Sequence, residues 1–205
     1  MTLFCFILSI FRCYVTETKV FLFLNWNLFL AWIPFIISSF LYLFNRKNSI
    51  LLLLTICVWI LFFPNSPYIL TDLFHLKGNS EIPIWYDLLI ILSYAWTALF
   101  CGFLSLLDIE RLLHEYFCKT VVDILTVLFL FLSSFGVYLG RFLRWNSWDI
   151  FQHPSGLLND IIVRIIYPRE YTSTWGVTIL MGIMLNFMYF MIKNIKKSPI
   201  SFTES

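Results

Sequence analysis

The stretch that decides the fold is IWYDLLIILSYAWTALFCGFLSLL, residues 84–107, which contains Asp87 as its single charged residue. A helical membrane span needs about 20 apolar residues, so this stretch is long enough to cross a bilayer. The whole chain of 205 residues has the same character, with 60% hydrophobic and 13% charged residues and a mean hydropathy of +0.83. Soluble domains carry about 25% charged residues. The composition therefore predicts an integral membrane protein.

Further apolar runs on both sides of this stretch predict an all-α, polytopic membrane helical bundle that forms a single domain over residues 1–205. Six spans are expected, at about 2–15, 21–44, 49–63, 84–107, 121–140 and 174–192. The N-terminus lacks a basic region and a small-residue cleavage site, so we interpret residues 2–15 as a retained short helix and not as a signal peptide.

The charge pattern limits the partners that we expect. A net charge of +2 gives no indication of nucleic-acid binding. Membrane lipids are the expected partners, because the basic residues Lys193, Lys196 and Lys197 follow the last apolar run, where anionic lipid attracts them. Lys and Arg divide equally, seven on each side of the predicted spans. Short flanking loops weigh most in the positive-inside rule, which favours a cytoplasmic C-terminus.

PNSPYILTDLFHLKG, residues 64–78, is the first of two polar segments in this apolar chain. Ser66 followed by Pro67 is typical of a helix start, and Gly78 of a helix end. A helix over 67–77 rises only about 16 Å, which is too short to cross a bilayer. We therefore expect it to be re-entrant or to lie in the membrane interface.

One stripe of this short helix carries all of its polar chemistry. At 100° per residue, Tyr68, Thr71, Asp72 and His75 share one face. Asp72 and His75 are candidate catalytic residues, with His75 as general acid or base and Asp72 as the partner that orients the imidazole. The alternative is a stripe that faces water or headgroups, with the pair as a surface contact.

A metal site on the same stripe is the weaker interpretation. Zinc requires three or four protein ligands, and only Asp72 and His75 are local. Asp149 and His153 would have to complete the set across the fold, because His114 lies in a connection on the opposite side. We therefore assign no metal ligands, and the sequence leaves any cofactor unknown.

GRFLRWNSWD, residues 140–149, is the second polar segment. If the fifth span continues past Gly140 as a helix, four large side chains share one face, with Asp149 at its edge: Arg141, Arg144, Trp145 and Trp148. Guanidinium groups bind phosphate and carboxylate bidentately and stack on indoles, so this face is a candidate site for an anionic headgroup or a lipid-linked substrate. Two alternatives stay open, anchoring at the headgroups and an internal ion pair with Asp72 or Asp87.

The two polar segments are separated by two predicted spans and therefore face the same side of the membrane. A shared site is geometrically feasible. Its candidate substrate-binding residues are Asn65, Tyr68, Arg141, Arg144, Trp145, Trp148 and Asp149.

Three further features bear on structure more than on chemistry. Asp87 stands near the start of its span, where the helix dipole favours a carboxylate, so capping is favoured over catalysis. Gly136 and Gly140 have the GxxxG spacing of closely packed helices. Residues 156–166 predict an amphipathic interfacial helix, in which Asp160 and Arg164 are spaced for an i, i+4 pair.

Four strings carry a family resemblance: NWNLFLAWIP at 25–34, NSPYILTDLFHL at 65–76, PIWYD at 83–87 and GRFLRWNSWD at 140–149. They resemble the characteristic segments of domain of unknown function 1361, a family of bacterial multi-pass membrane proteins. The resemblance implies a location in the bacterial cytoplasmic membrane. It implies no activity, substrate, cofactor or catalytic residue.

Three classes of function fit these observations. The first is a membrane enzyme that acts on a lipid-linked or anionic headgroup substrate at the polar segments. The second is a transporter or a transporter subunit, although no inverted repeat links residues 21–76 with 121–170. The third is a non-catalytic assembly or lipid-binding protein, in which the polar segments hold the fold or bind lipid.

Overall fold

The computed structural model of the protein describes residues 1–17, 19–44, 49–76 and 83–195. Every regular element within these ranges is helical, as predicted. The α-helices are α1 Thr2–Thr16, α2 Phe23–Phe44, α3 Ser49–Phe62, α4 Asn65–Tyr68, α5 Ile84–Leu113, α6 Lys119–Phe142, α7 Asp149–Gln152, α8 Pro154–Ile166 and α9 Thr172–Ile195. A 3₁₀ helix, Ile69–His75, follows α4 directly.

Five helical runs in the described ranges are long and apolar enough to cross a membrane: Phe23–Leu41, Ile50–His75, Ile84–Leu113, Lys119–Phe142 and Thr172–Asn194. Helix α1 is apolar but shorter. The second run contains α3, α4 and the 3₁₀ helix, one after the other. The segment that we expected to form a separate short helix therefore continues from α3, after a turn at Phe63 and Pro64. The expected end of that short helix, Lys77 with Gly78, lies outside the described residues.

The packing of α2 against α5 forms one part of the core. Leu24, Leu28 and Ala31 are fully buried at i, i+4 and i+7 of α2, opposite Tyr94 and Ala98 of α5. Small residues at a helix contact let the backbones approach closely, which is how membrane helices gain van der Waals contact without a hydrophobic driving force between them. A second cluster, around Trp59, Leu106 and Tyr189, joins α3, α5 and α9.

Helix α4 packs against the GxxxG face of α6. A Cβ on Gly136 would lie 2.6 Å from Cγ of Pro64, and a Cβ on Gly140 would lie 3.2 Å from the ring of Tyr68. The glycine spacing therefore brings the first polar segment against α6, immediately before the second polar segment begins.

The second polar segment departs from its expected helical form. Helix α6 ends at Phe142, two residues past Gly140, and Arg144 has a left-handed backbone with φ 62°. The expectation that Arg141, Arg144, Trp145 and Trp148 share one helical face is therefore wrong. Non-glycine residues seldom adopt positive φ, and here that conformation turns the chain away from the axis of α6.

The amphipathic helix expected at 156–166 is α8, which begins two residues earlier, at Pro154. Proline suits a first helical position because its missing N–H needs no partner there. The predicted i, i+4 pair is present, with 3.1 Å between Nη1 of Arg164 and Oδ1 of Asp160. Helix α8 therefore follows the second polar segment closely and lies next to it, since the indole of Trp145 donates to Asp160 at 2.8 Å.

Candidate functional site

The side chain of Arg141 joins the two polar segments. Its Nε donates to Oγ1 of Thr71 at 2.6 Å, and its Nη1 lies 3.0 Å from Nε2 of His75. Its Nη2 donates to Oδ1 of Asp72, and its guanidinium carbon lies 4.5 Å from the ring centre of Tyr68. All four partners belong to the stripe identified in the sequence, so that stripe faces a guanidinium group.

Asp72 is buried completely, although it is a carboxylate in an apolar chain. One of its oxygens accepts from Arg141, and the other accepts from Nδ2 of Asn27 at 2.9 Å. The Arg141 side chain is only 13% exposed. Removing one member of such a buried pair leaves an uncompensated charge, which costs about 3–5 kcal/mol in the free energy of unfolding. Because both groups are buried, this contact helps to determine how the two polar segments dock on each other.

His75 is exposed and contacts Arg141 with one ring nitrogen. Because guanidinium only donates, Nε2 of His75 must accept, which places the imidazole proton on Nδ1. The expected direct hydrogen bond between Asp72 and His75 is absent from the described contacts, since Arg141 bridges the two side chains. The ring of Phe23 packs edge-on against the imidazole at 5.2 Å.

A second contact between the polar segments involves Asn65 and Ser147. Nδ2 of Asn65 donates to the carbonyl of Phe62 at 2.9 Å and lies 3.2 Å from Oγ of Ser147. The Ser147 hydroxyl in turn donates to the carbonyl of Leu61 at 3.0 Å. These bonds hold the 143–148 turn against the end of α3.

The remaining polar residues of the second segment do not join Arg141. Oδ2 of Asp149 accepts from the backbone N–H of Asn146 at 2.6 Å and from Nδ2 of Asn146 at 3.3 Å, so this carboxylate closes its own turn. Arg144 is exposed and has no hydrogen bond or ion pair with any described residue. Binding of an anion by Arg141 and Arg144 together stays a prediction. In the structure, Arg141 binds side chains of the first polar segment.

A cavity of about 580 Å³ lies beside this network. Along α6 its wall extends from Leu128 to Gly140, which is about 18 Å at 1.5 Å per residue. Aliphatic and aromatic side chains form most of the wall. They include Trp26, Leu30, Ile60, Phe131, Leu132, Phe135, Trp145, Trp148, Leu157, Ile161, Ile165 and Trp175.

One end of the cavity is polar. Asn27, Asn65, Tyr68, Asn146 and Ser147 all line it, and each also contacts one of the polar segments or belongs to it. Three of these five residues, Asn27, Asn146 and Ser147, were not among the site residues proposed from the sequence. Asn27 could have been singled out in the sequence, because an amide inside an apolar span is rarely left without a hydrogen-bond partner.

The cavity wall also includes side chains that face outward. Trp26 is 56% exposed, Leu128 55% and Ile165 57%. These exposed apolar side chains border the cavity on the outside of the helix bundle.

Comparison with known protein families matches residues 26–188 to the family described as Protein of unknown function (DUF1361). The chain belongs to this family. No curated protein and no solved structure matches it. Both polar segments and the cavity lining lie within the DUF1361 match, whereas α1 precedes it.

Asp87 of this DUF1361 protein lies apart from the cavity. It forms a two-pronged pair with Arg12 of α1, at 2.6 Å from Nε and 3.1 Å from Nη2, and Arg12 also lies over the ring of Phe21. Both side chains are buried, at 4% and 3% exposure. The pair docks α1 on α5. Arg12 lies within the first predicted span, 2–15. The internal ion pair considered for Asp87 is therefore formed with Arg12 and not with Arg141 or Arg144.

Metal ligands do not cluster in the described ranges: no three His, Cys, Asp or Glu side chains come together there. Of the residues considered for a metal site, Asp72 and His75 both bind Arg141, and Asp149 binds Asn146.

Proposed function

We propose that this protein binds a membrane lipid, with the apolar chains in the cavity and the head at its polar end. The observation that carries the proposal is the cavity itself. Its volume falls within the 300–1,000 Å³ typical of ligand sites, and it combines apolar walls with a few polar groups at one end. The outward-facing residues Trp26, Leu128 and Ile165 supply a route of entry from the bilayer.

Lipid binding is favoured over catalysis by the state of the ionisable residues. Arg141 occupies Nε2 of His75 and one oxygen of Asp72, and Asn27 occupies the other oxygen. A general base needs a lone pair within reach of the proton that it removes. Catalytic roles for His75 and Asp72, and transport through the bundle, are the alternative functions.

The membrane arrangement is part of the proposal. In an arrangement of six spans, α1 crosses the membrane together with the five longer helical runs. The irregular segment Asn65–His75 then continues from α3 as a re-entrant segment that enters from one side. The family resemblance supports the bacterial cytoplasmic membrane as the location. Cysteine accessibility from each side of sealed vesicles would test the crossings.

Two adjacent isoleucines of α8 provide the test of lipid binding. Ile161 lines the cavity, whereas Ile162 is 49% exposed and lies outside its wall. We expect Ile161→Trp to place a bulky indole in the cavity, to narrow it and to reduce the amount of bound lipid. Ile162→Trp adds the same indole to the outer face of α8 and should leave the bound lipid in place.

Native mass spectrometry of protein purified in mild detergent measures the lipid retained by each variant. The proposal predicts a retained lipid in the parent and in Ile162→Trp, and at least a fivefold lower retained fraction in Ile161→Trp. Equal retention in the two variants, with equal thermal stability, would refute it.

A further inference from the structure

We infer that the head of the bound lipid is uncharged and carries hydroxyl groups, as a sugar or polyol head does. The inference rests on the proposed lipid binding and specifies the chemistry of its polar end. It arises from the orientation of the side-chain amides that line that end of the cavity.

Two of these amides each donate one of their two N–H groups to a carboxylate. Nδ2 of Asn27 donates to Asp72, and Nδ2 of Asn146 lies 3.3 Å from Asp149. A carboxylate only accepts hydrogen bonds, so these partners fix the orientation of each amide. The amide oxygens of Asn27 and Asn146 therefore remain as acceptors for a ligand.

Asn65 and Ser147 extend the same pattern. Nδ2 of Asn65 donates to the carbonyl of Phe62, and the Ser147 hydroxyl donates to the carbonyl of Leu61. Their remaining capacity is that of acceptors, namely the Asn65 amide oxygen and a lone pair of the Ser147 oxygen. These four residues thus present acceptors to the ligand, and Asn27 and Asn146 each also keep one N–H that has no partner among the described residues.

Phosphate fits this end poorly. A phosphate is an anion, and no charged residue lies among the described residues that line the cavity. Its acceptor oxygens also cannot pair with the amide oxygens of the polar end. Arg141 lies over the ring of Tyr68, but it is not itself in the cavity wall, and it binds Asp72, Thr71 and His75. Burying an anion without a cation beside it is strongly unfavourable.

Hydroxyl groups of a ligand can pair with both the hydrogen-bond acceptors and the hydrogen-bond donors of the cavity wall. Each hydroxyl donates one hydrogen bond and accepts others, so it can donate to the amide oxygens. The Tyr68 hydroxyl and the Trp148 indole line the cavity and have no hydrogen bond with a described residue, so they are donors for the same head. Three indoles, Trp26, Trp145 and Trp148, supply flat apolar surface beside it.

Two lipids with identical acyl chains separate the possible heads. The probes are monoglucosyl diacylglycerol and phosphatidic acid, each titrated into delipidated protein and followed by native mass spectrometry. We expect at least fivefold tighter binding of the glucosyl lipid. Asn146→Leu should weaken glucosyl binding about three- to tenfold, since it removes one acceptor, and lower the melting temperature only slightly, since the backbone N–H at this position still donates to Asp149.

The outcomes distinguish the inference from the proposal beneath it. Equal or tighter binding of phosphatidic acid overturns the inference and leaves lipid binding standing. Binding of neither probe, or binding of both unaffected by Ile161→Trp, overturns lipid binding in the cavity. Asn146→Lys places a cation at the polar end and should shift the preference towards phosphatidic acid; an unchanged preference would also contradict the inference.

Discussion

A guanidinium group carries five N–H donors in one plane, and Arg141 directs its three nitrogens at three side chains of the first polar segment. This geometry explains why ionisable residues occur where each costs solvation energy. Asp72 is neutralised by Arg141 and hydrogen-bonded by Asn27, so neither of its oxygens is left without a partner. The network is a structural connection between segments that are 70 residues apart.

Substitution of either member of the pair should destabilise the protein. For Asp72→Asn or Arg141→Gln we expect a loss of about 3–5 kcal/mol in the free energy of unfolding, because one buried charge loses its partner. This corresponds to a melting temperature lower by roughly 6–20 °C. The measurement is thermal unfolding in detergent, with the parent protein alongside.

Asp123→Asn is the matched control for those variants. Asp123 pairs with Lys193 at 3.2 Å, but its side chain is 37% exposed. Partly exposed pairs contribute about 1 kcal/mol or less. If the control and Asp72→Asn lower the melting temperature equally, the Arg141 network does not hold the segments together.

His75→Ala should have a much smaller effect on stability. The side chain is exposed and forms one hydrogen bond within the described structure, so we expect a loss of about 1 kcal/mol or less. The same thermal assay measures it. A loss as large as that of Asp72→Asn would show that the imidazole is a core member of the network.

The sequence located the ionisable residues in two polar segments but left their pairings open. Helical periodicity placed Tyr68, Thr71, Asp72 and His75 on one stripe, because that rule depends only on local geometry. Which cation the stripe meets depends on how distant segments dock. Arg141 was one of several candidate cations, and no local rule separates an internal ion pair from an anion clamp.

Among the elements, the 3₁₀ helix Ile69–His75 is unusual for its length. Runs of 3₁₀ helix longer than three or four residues are uncommon, because side chains at i and i+3 eclipse and the hydrogen bonds are less well aligned. That threefold repeat aligns Asp72 with His75, and both contact Arg141. Docking on α6 therefore compensates for the less favourable backbone.

The contact between α4 and α6 depends on Gly136. We expect Gly136→Ala to cost about 1–3 kcal/mol, because the added Cβ would lie 2.6 Å from Pro64 and the helices must separate. Gly176→Ala is the control, since a Cβ there meets nothing within 4 Å. Thermal unfolding should show a lower melting temperature for the first variant and an unchanged or slightly raised one for the second; the reverse order would exclude close packing at Gly136.

Docking of α1 depends on the pair of Arg12 with Asp87. Arg12→Met should lower the free energy of unfolding by about 3–5 kcal/mol, because Asp87 loses its two-pronged partner in a buried position. The double variant Arg12→Met with Asp87→Leu should recover much of that loss, since it removes both charges. Additive losses in a double-mutant cycle, measured by thermal unfolding, would contradict a direct interaction.

Element positions were more predictable than element ends. Long apolar runs and the Asp160–Arg164 spacing located α2, α6, α8 and α9 to within three residues and the start of α5, which extends six residues past its predicted end, since helix formation in lipid follows from composition. The end of α6 was not predictable, because the residues after Gly140 are compatible with a helix. The turn at Arg144 forms because Asn65, Ser147 and Asp149 supply its hydrogen bonds.

At the scale of the whole molecule, the cavity results from helices that cannot all pack closely at once. The GxxxG face draws α6 towards α4 near Pro64 and Tyr68, while Phe131 of α6 packs on Gly182 of α9, and Phe131 and Phe135 both line the cavity between these contacts. Helix α8 covers the remaining gap with Leu157 and Ile161. Such a void depends on the placement of every helix, which is why residue patterns did not reveal it.

Buried residues of the cavity wall allow the most direct test of lipid binding. Leu157 is 8% exposed and Thr178 5% exposed, so bulk lipid cannot reach them, whereas Leu180 of α9 is 71% exposed. The measurement is photo-cross-linking in membranes with a lipid that carries a diazirine in its acyl chain, followed by peptide mapping. We predict adducts at Leu157 and Thr178 that Ile161→Trp abolishes while the adduct at Leu180 persists. Adducts confined to outward-facing residues such as Leu180 would contradict a lipid-filled cavity.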